Sequence, residues 1–194
     1  MSSPIPNFVT PAEYLELERK SEIRSEYIAG RIFAMSGASR RHSLIAGNLH
    51  REISSQLRHR PCEAHISDMR VKVSPTGMYT YPDIVAICGE ARFEDTHIDT
   101  LLNPTVIVEV LSESTEAYDR GEKFANYRRL DSLREYVLVA QDKVRIEHFR
   151  REGDQWILSE IGDADGILPL ASIDCQVSLA AIYEKVDFAT MAAS

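Results

Sequence analysis

Apolar positions recur at two different periods along this chain, and the changes of period divide it into elements. Ile45, Leu49, Ile53 and Leu57 fall four apart, a stripe that predicts an amphipathic helix beginning near Ser39. An earlier helix is announced by its start: Thr10 suits the N-cap, Pro11 the first helical position, and Glu13 completes a capping box, with the helix running to about Lys20. Ser25–Ile28 and Arg31–Met35, separated by Ala29-Gly30, predict a hairpin. From His65 to Val73 the period falls to two, and after the turn at Pro75-Thr76-Gly77 a strand leads into Tyr81–Cys88. Thr105–Leu111 is nearly all aliphatic, as in a strand covered on both faces. A third helix is expected over Ser114–Leu130, strands over Glu135–Ala140, Val144–Arg151 and Gln155–Glu160, and a closing helix over Ser178–Val186. The stretch from Glu90 to Asp99 reads as an acidic, mobile loop. With no repeat or linker visible, the 194 residues predict one α/β domain, 1–194, with a core of about 10–186 and a frayed tail at 187–194.

Composition narrows the class. With 44% hydrophobic and 27% charged residues the chain matches an average soluble protein, which sets aside collagenous, disordered and disulfide-scaffold classes. No apolar run is long enough for a membrane helix, and the first eight residues lack the basic and apolar regions of a signal peptide. Cys62, Cys88 and Cys175 are odd in number and far apart, which predicts no disulfide framework and a reducing cytoplasm. The net charge of −8 argues against coating nucleic acid through bulk charge, but leaves room for a local basic face. The helix from Ser39 supplies one, with Arg40, Arg41, Arg51, Arg58 and Arg60 against the single acid Glu52.

Glu109 is the costliest residue to place. It lies within Val106-Ile107-Val108-Glu109-Val110-Leu111, and a buried carboxylate must be paired, protonated or bound to a cation. Alternation puts it on one face with Ile107 and Leu111, and an arginine such as Arg120 or Arg128 is the plain structural alternative. Asp83 follows Pro82, whose missing N–H marks a strand edge, start or bulge, so this acid either caps the strand or joins Glu109. Two such acids supply hard oxygen ligands suited to Mg²⁺ or Mn²⁺. Asp119, Lys123 and Tyr127 are spaced by four, so Lys123 either reaches the same acids or pairs with Asp119 at a wet surface. His42, next to Arg40 and Arg41, is a solvated first-turn residue or a contact to a DNA phosphate.

Pro82-Asp83, a strand-borne Glu109 and a lysine resemble the PD-(D/E)XK signature of restriction-endonuclease-like nucleases. More closely, the chain is similar to the Uma family of restriction endonucleases, formerly a domain of unknown function. The residues that carry the likeness are Ser25–Gly30, Met35–Ser39 with His42, Tyr81–Asp83, Val108–Ser112, Tyr118–Lys123 and Tyr127, an ordered set from near Thr10 to about Tyr183. The resemblance implies a restriction-endonuclease-like α/β core, a mixed central β-sheet flanked by helices, and metal-dependent cleavage of DNA. Asp83 and Glu109 would hold Mg²⁺ or Mn²⁺. Leu111 stands where the general signature has its lysine, and the resemblance moves that role to Lys123 on the following helix. Glu26 is either a further ligand, as in some relatives, or a surface acid, the preferred reading. Tyr127 is expected to orient or pack beside Lys123.

Serine, cysteine and P-loop chemistries lack their motifs: no G-x-S-x-G, Walker loop, G-x-G-x-x-G or H-E-x-x-H occurs, and the six histidines show no ligand spacing. The sequence reading is therefore a cytoplasmic endonuclease on DNA, homodimeric because one site per chain must cut two strands. Its rivals are a catalytically idle nuclease-fold module that binds nucleic acid or a protein, and a hydrolase of another phosphodiester.

Overall fold

The computed structural model describes residues 8–35 and 37–189. Helix α1 (Pro11–Glu18) begins with the expected capping box: the Thr10 hydroxyl accepts from the Glu13 amide, and the Thr10 amide donates to Glu13 Oε2 at 2.8 Å. The hairpin β1 (Ser25–Ile28) and β2 (Arg31–Ala34) turns through Ala29 and Gly30, both at positive φ (48° and 86°), as a two-residue turn of this hand requires. Helix α2 (Arg40–Leu57) starts at Ser39, whose hydroxyl accepts from the His42 amide. Then come β3 (Cys62–Ile66), β4 (Arg70–Val73), β5 (Met78–Thr80), β6 (Ile84–Cys88), β7 (Thr100–Leu101) and β8 (Val106–Leu111). A helical segment follows in three pieces: α3 (Glu116–Tyr118), a π-helical turn (Asp119–Lys123) and α4 (Phe124–Tyr127). The chain ends in β9 (Glu135–Ala140), β10 (Ile146–Glu152), β11 (Gln155–Ile161), β12 (Ile167–Leu170), β13 (Cys175–Ser178) and α5 (Leu179–Ile182).

The architecture is mixed α/β. A six-stranded sheet, ordered β11-β10-β9-β8-β6-β3, has the parallel pair β8–β9 at its centre and antiparallel neighbours outside. A five-stranded sheet, ordered β2-β1-β5-β4-β7, lies beside it. Alternation along β8 separates two cores. Val106, Val108 and Val110 pack with Ile45, Leu49 and Ile53 of α2, while Ile107 and Leu111 pack with Phe124, Tyr127 and Tyr136 on the opposite face. Glu109 belongs to the second face, as expected.

Several expected elements change form. The alternating run His65–Val73 is two strands in two sheets, broken at Ser67-Asp68-Met69, where Ser67 takes φ 54°. Likewise the strand expected to lead into Tyr81–Cys88 is broken at Tyr81-Pro82-Asp83, because proline cannot supply the ladder's N–H and the chain passes there from one sheet to the other. These two crossings meet: the Ser67 amide donates to the Asp83 carbonyl at 2.9 Å. The helix expected over Ser114–Leu130 is shorter and contains the π turn around Gly121, a weak α-helix former. The closing helix is confined to Leu179–Ile182, preceded by the unforeseen hairpin β12–β13. In the tail expected to fray, the Phe188 ring lies 5.7 Å from that of Tyr183, so Phe188 meets the core; 190–194, the opening residues 1–7 and Ser36 lie outside the described residues.

The acidic stretch Glu90–Asp99 is tied down rather than loose. Arg19 bonds Asp95 (2.7 Å) and Asp99 (2.8 Å), Arg70 bonds Asp99 (2.8 Å), and Lys72 pairs with Glu94. The hydrogen bond from Arg19 holds the Asp99 carboxyl well below the usual range, against the opposing effect of burial and with help from Arg70. A carboxyl lowered by folding stabilises fully above its unfolded pKa of about 3.9 and loses that contribution as pH falls toward the folded value. Asp99→Asn is thus expected to flatten the loss of urea stability between about pH 5 and about pH 2. Identical pH slopes in variant and parent would contradict this account.

The expectation of no disulfide is also corrected. Cys62 and Cys88 are 26 residues apart in sequence but opposite one another on β3 and β6, with Cα atoms 4.0 Å apart, and they are bridged; Cys175 is buried and free. The cysteines therefore do not argue for a reducing compartment. Closing a loop of that length stabilises by about 3.5 kcal/mol in the chain-entropy account, so Cys62→Ser should lower the urea midpoint of oxidised protein. Equal midpoints would show that the bridge contributes nothing. Among the described residues no helix is long and apolar enough to cross a membrane.

Candidate active site

The break at Pro82 is what delivers Asp83. In the β6–β8 register Ile84 faces Val108 and Val85 faces Ile107, and one further step brings Asp83 beside Glu109. Past the end of the ladder the Asp83 side chain substitutes for a strand partner: its Oδ2 accepts from the Val110 amide at 2.7 Å. The same oxygen is 3.1 Å from His42 Nε2. Burial pushes the His42 imidazole pKa down, but Asp83 outweighs it and the net direction is up.

Glu109 is 4% exposed. Lys123 Nζ lies 2.8 Å from its Oε1, and the Tyr127 hydroxyl donates to the same oxygen at 2.9 Å. Lys123, equally buried, also lies 3.1 Å from Glu26 Oε1 and 3.5 Å from Asp119 Oδ1. Glu26 accepts from the Thr80 hydroxyl, which the Tyr127 hydroxyl approaches to 3.2 Å. The Tyr136 hydroxyl donates to the Asp119 carbonyl, tying the π turn to β9 beneath the site. One ammonium thus stands among three carboxylates, drawn from β1, β8 and the π turn.

The electrostatics follow from that count. Burial works against charge on Lys123, yet Glu109, Glu26 and Asp119 together hold its pKa well above the usual lysine value. Burial is also the main reason that Glu109 and Asp119 are pushed upward; Lys123 opposes it, and the neighbouring acids add to it. The cluster is short of positive charge. Among the described residues no three His, Cys, Asp or Glu side chains are arranged to hold an ion. The donor chemistry nevertheless fits a hard divalent cation: Mg²⁺ takes carboxylate oxygens, commonly from only one or two side chains, and fills its shell with water and phosphate oxygens. Asp83 and Glu109 are the pair that would hold it.

Set beside the sequence expectations, Asp83, Glu109, Lys123, Glu26 and Tyr127 are brought together. One placement differs from the preferred reading. Glu26 is buried rather than a surface acid, because β1 pairs with β5 and carries it to Thr80 and Lys123. Tyr127 donates directly to Glu109 Oε1, the oxygen that Lys123 Nζ also approaches, so the two side chains meet at one carboxylate. Neither arginine alternative holds Glu109, since Arg120 bonds Glu116 and Glu147 instead, and the Asp119–Lys123 pair is buried, not wet. His42 turns to Asp83 and belongs to the acid cluster. Arg40 and Arg41 sit at the first turn of α2, but Arg51 is bonded to Glu184 and Arg60 to Asp174, so the arginines do not form one face. Sequence reasoning missed Asp119 and Thr80 as members. The spacing of Asp119 to Lys123 was visible, but their burial depends on tertiary packing.

Comparison with known proteins identifies the family and the fold. Residues 11–181 match the Uma2 family, described as "Putative restriction endonuclease". An uncharacterised protein of Synechocystis sp. is 38% identical over 154 residues, covering 79% of this chain and 87% of the relative. A second from the same organism is 35% identical over 188 residues, 96% and 97% of the two chains. The crystal structure of an Anabaena variabilis protein, described as a "putative nuclease belonging to DUF820", superposes with a TM-score of 0.74 at 20% identity, over 90% of this chain and 97% of that one, which shows a shared fold. With a family match across nearly its whole length and two relatives above one-third identity, the chain belongs to the Uma2 family of restriction-endonuclease-like proteins.

Proposed function

We propose that this protein is an endonuclease that hydrolyses DNA phosphodiester bonds with Mg²⁺ or Mn²⁺ held by Asp83 and Glu109. The observation that carries the reading is the convergence of Lys123 and Tyr127 on one oxygen of a carboxylate buried in a central strand, with Asp83 at the next register step. Such a buried charge cluster costs stability, and clusters of this kind concentrate at functional sites. When bound, the cation supplies charge neutralisation at a phosphoryl oxygen and a more acidic water. The chain's own groups do the positioning. Lys123 keeps its proton and offers Nζ–H to the attacking water or to charge growing on the phosphate. Tyr127, whose hydroxyl burial holds protonated, fixes Glu109 by donating to Oε1, and His42 fixes Asp83. Arg40 and Arg41 contact backbone phosphates on the way to the site.

The test is incubation of purified protein with supercoiled and single-stranded circular DNA in Mg²⁺, Mn²⁺ or EDTA. Nicking that requires the cation is expected. Cleavage undiminished in EDTA, or none with either substrate and either metal, would overturn the reading, the latter in favour of an idle binding module. Cutting both strands of a duplex calls for two copies, so sedimentation of the cleaving species as a monomer would remove the homodimer. We infer a cytoplasmic location from an intracellular DNA substrate, and recovery of the chain only from an extracytoplasmic fraction would contradict that.

A further inference from the structure

Beside the acid cluster lies a cleft of about 600 Å³, of which the catalytic reading uses only Arg40 and Arg41. Its walls are the first turn of α2, the end of β8 with Ser112, the Arg120 side of the π turn, and the turn between β9 and β10. Five cations line it: Arg40, Arg41, Arg120, Lys143 and Arg145. Three acids, Glu113, Glu116 and Asp142, share the lining, and Glu116 is spent on Arg120 at 2.7 Å. In a chain of net charge −8, a cleft with a cationic excess is a local reversal.

Two of the cations are held in place from behind. Glu147, 7% exposed, bonds Arg120 at 2.9 Å and Arg145 at 2.6 Å, so a single buried carboxylate sets both guanidiniums in the wall. Burial alone would raise the Glu147 pKa, but the two arginines outweigh it and keep the group ionised. Opposite them, the Ser39 hydroxyl donates to Gln141 Oε1 at 2.7 Å and closes the α2 wall against the β9–β10 turn. The α2 wall has no acid in its first turn, leaving the positive end of an 18-residue helix uncompensated by sequence.

We propose that this cleft is a phosphate subsite that grips the backbone of a nucleic-acid strand next to the phosphodiester at Asp83 and Glu109. The position favours a polymer of phosphates over an isolated anion. Leu111, in the cleft wall, is two residues beyond Glu109 on one strand, about 7 Å, a short span for a DNA strand that carries one charge per ~3.4 Å of helix axis. A chain of phosphates can therefore occupy both places at once. Contacts of this kind position a strand and carry no base sequence.

The inference takes its choice of ligand from the nuclease reading, so the experiment separates the two. Fluorescence anisotropy would follow a labelled single strand and a labelled duplex of the same sequence in EDTA, across a series of salt concentrations. Lys143→Glu and Arg40→Glu alter exposed side chains of the cleft, and circular dichroism would confirm their folding. Each is expected to weaken binding about tenfold, similarly for different sequences, and to reduce the salt slope by about one. Glu147→Gln should weaken it less, by about threefold, through the arginines it releases, while Asp83→Asn should bind at least as well as the parent. Whichever probe shows the larger Lys143 effect identifies single strand or duplex as the source of the phosphates. Binding within twofold of the parent in both charge-reversal variants, on both probes and at every salt concentration, would overturn the subsite even if the protein cleaves DNA. Binding that depends on Lys143 and Arg40 in a protein that cleaves nothing would uphold the subsite and reject the nuclease.

Discussion

Asp83→Ala and Glu109→Ala should each lower cation-dependent cleavage by at least about a thousandfold, equivalent to about 4 kcal/mol of transition-state stabilisation. Both carboxylates are assigned to the same cation, so removing either leaves a site with half its charged ligands. The variants should differ in how they fold. Asp83→Ala strands the Val110 amide and frees His42, at the end of the β6–β8 ladder. Glu109→Ala removes one of three acids around Lys123 and leaves Glu26 and Asp119 to hold the ammonium. Neither change empties the core of apolar packing, so turnover is the readout, taken at saturating Mg²⁺ on protein whose circular dichroism matches the parent. Retention of more than about a tenth of parental turnover in either variant would be incompatible with the assigned ligands.

Lys123→Met is expected to produce the largest loss of stability of any single change at the site. Methionine fills the space but leaves Glu26, Glu109 and Asp119 facing one another with no counter-charge in a buried setting. Breaking a buried charge pair from one side costs about 3–5 kcal/mol. The carboxyls can take up protons in response, so the loss should be greater at neutral pH than in mild acid. A divalent cation should restore part of what the ammonium supplied, and millimolar Mn²⁺ should raise the urea midpoint of Lys123→Met by more than that of the parent. Turnover should fall while Mn²⁺ binding is retained. A midpoint equal to the parent's would mean that Lys123 is not the cluster's counter-charge.

Much of this arrangement is legible in the sequence. The capping box at Thr10, the Ala29-Gly30 turn, the four-spaced stripe of α2 and the aliphatic strand around Glu109 are local patterns, and local patterns carry helix starts, turns and strands. The incompatibility of Glu109 with its neighbours pointed to a site, because a charge in such a strand needs a partner wherever the strand lies. What escaped were features set by distant contacts. Glu26 has no neighbour in sequence that marks it as buried; the pairing of β1 with β5 does that. Cys62 and Cys88 become opposite only when β3 lies against β6. The acidic loop looked free because its partners Arg19, Arg70 and Lys72 come from three other parts of the chain. The break between β5 and β6 was half legible, since Pro82 forbids an ordinary ladder position but cannot say which sheet follows.

The account stands most directly on whether Asp83 and Glu109 hold a cation, and Mn²⁺ binding measured by electron paramagnetic resonance addresses that without any assumption about substrate. Parent protein and Glu109→Ala would be titrated in parallel, each folded by circular dichroism. The account predicts saturable Mn²⁺ binding by the parent and loss of that binding in Glu109→Ala at the same concentrations. Equal Mn²⁺ binding by the two proteins would contradict it.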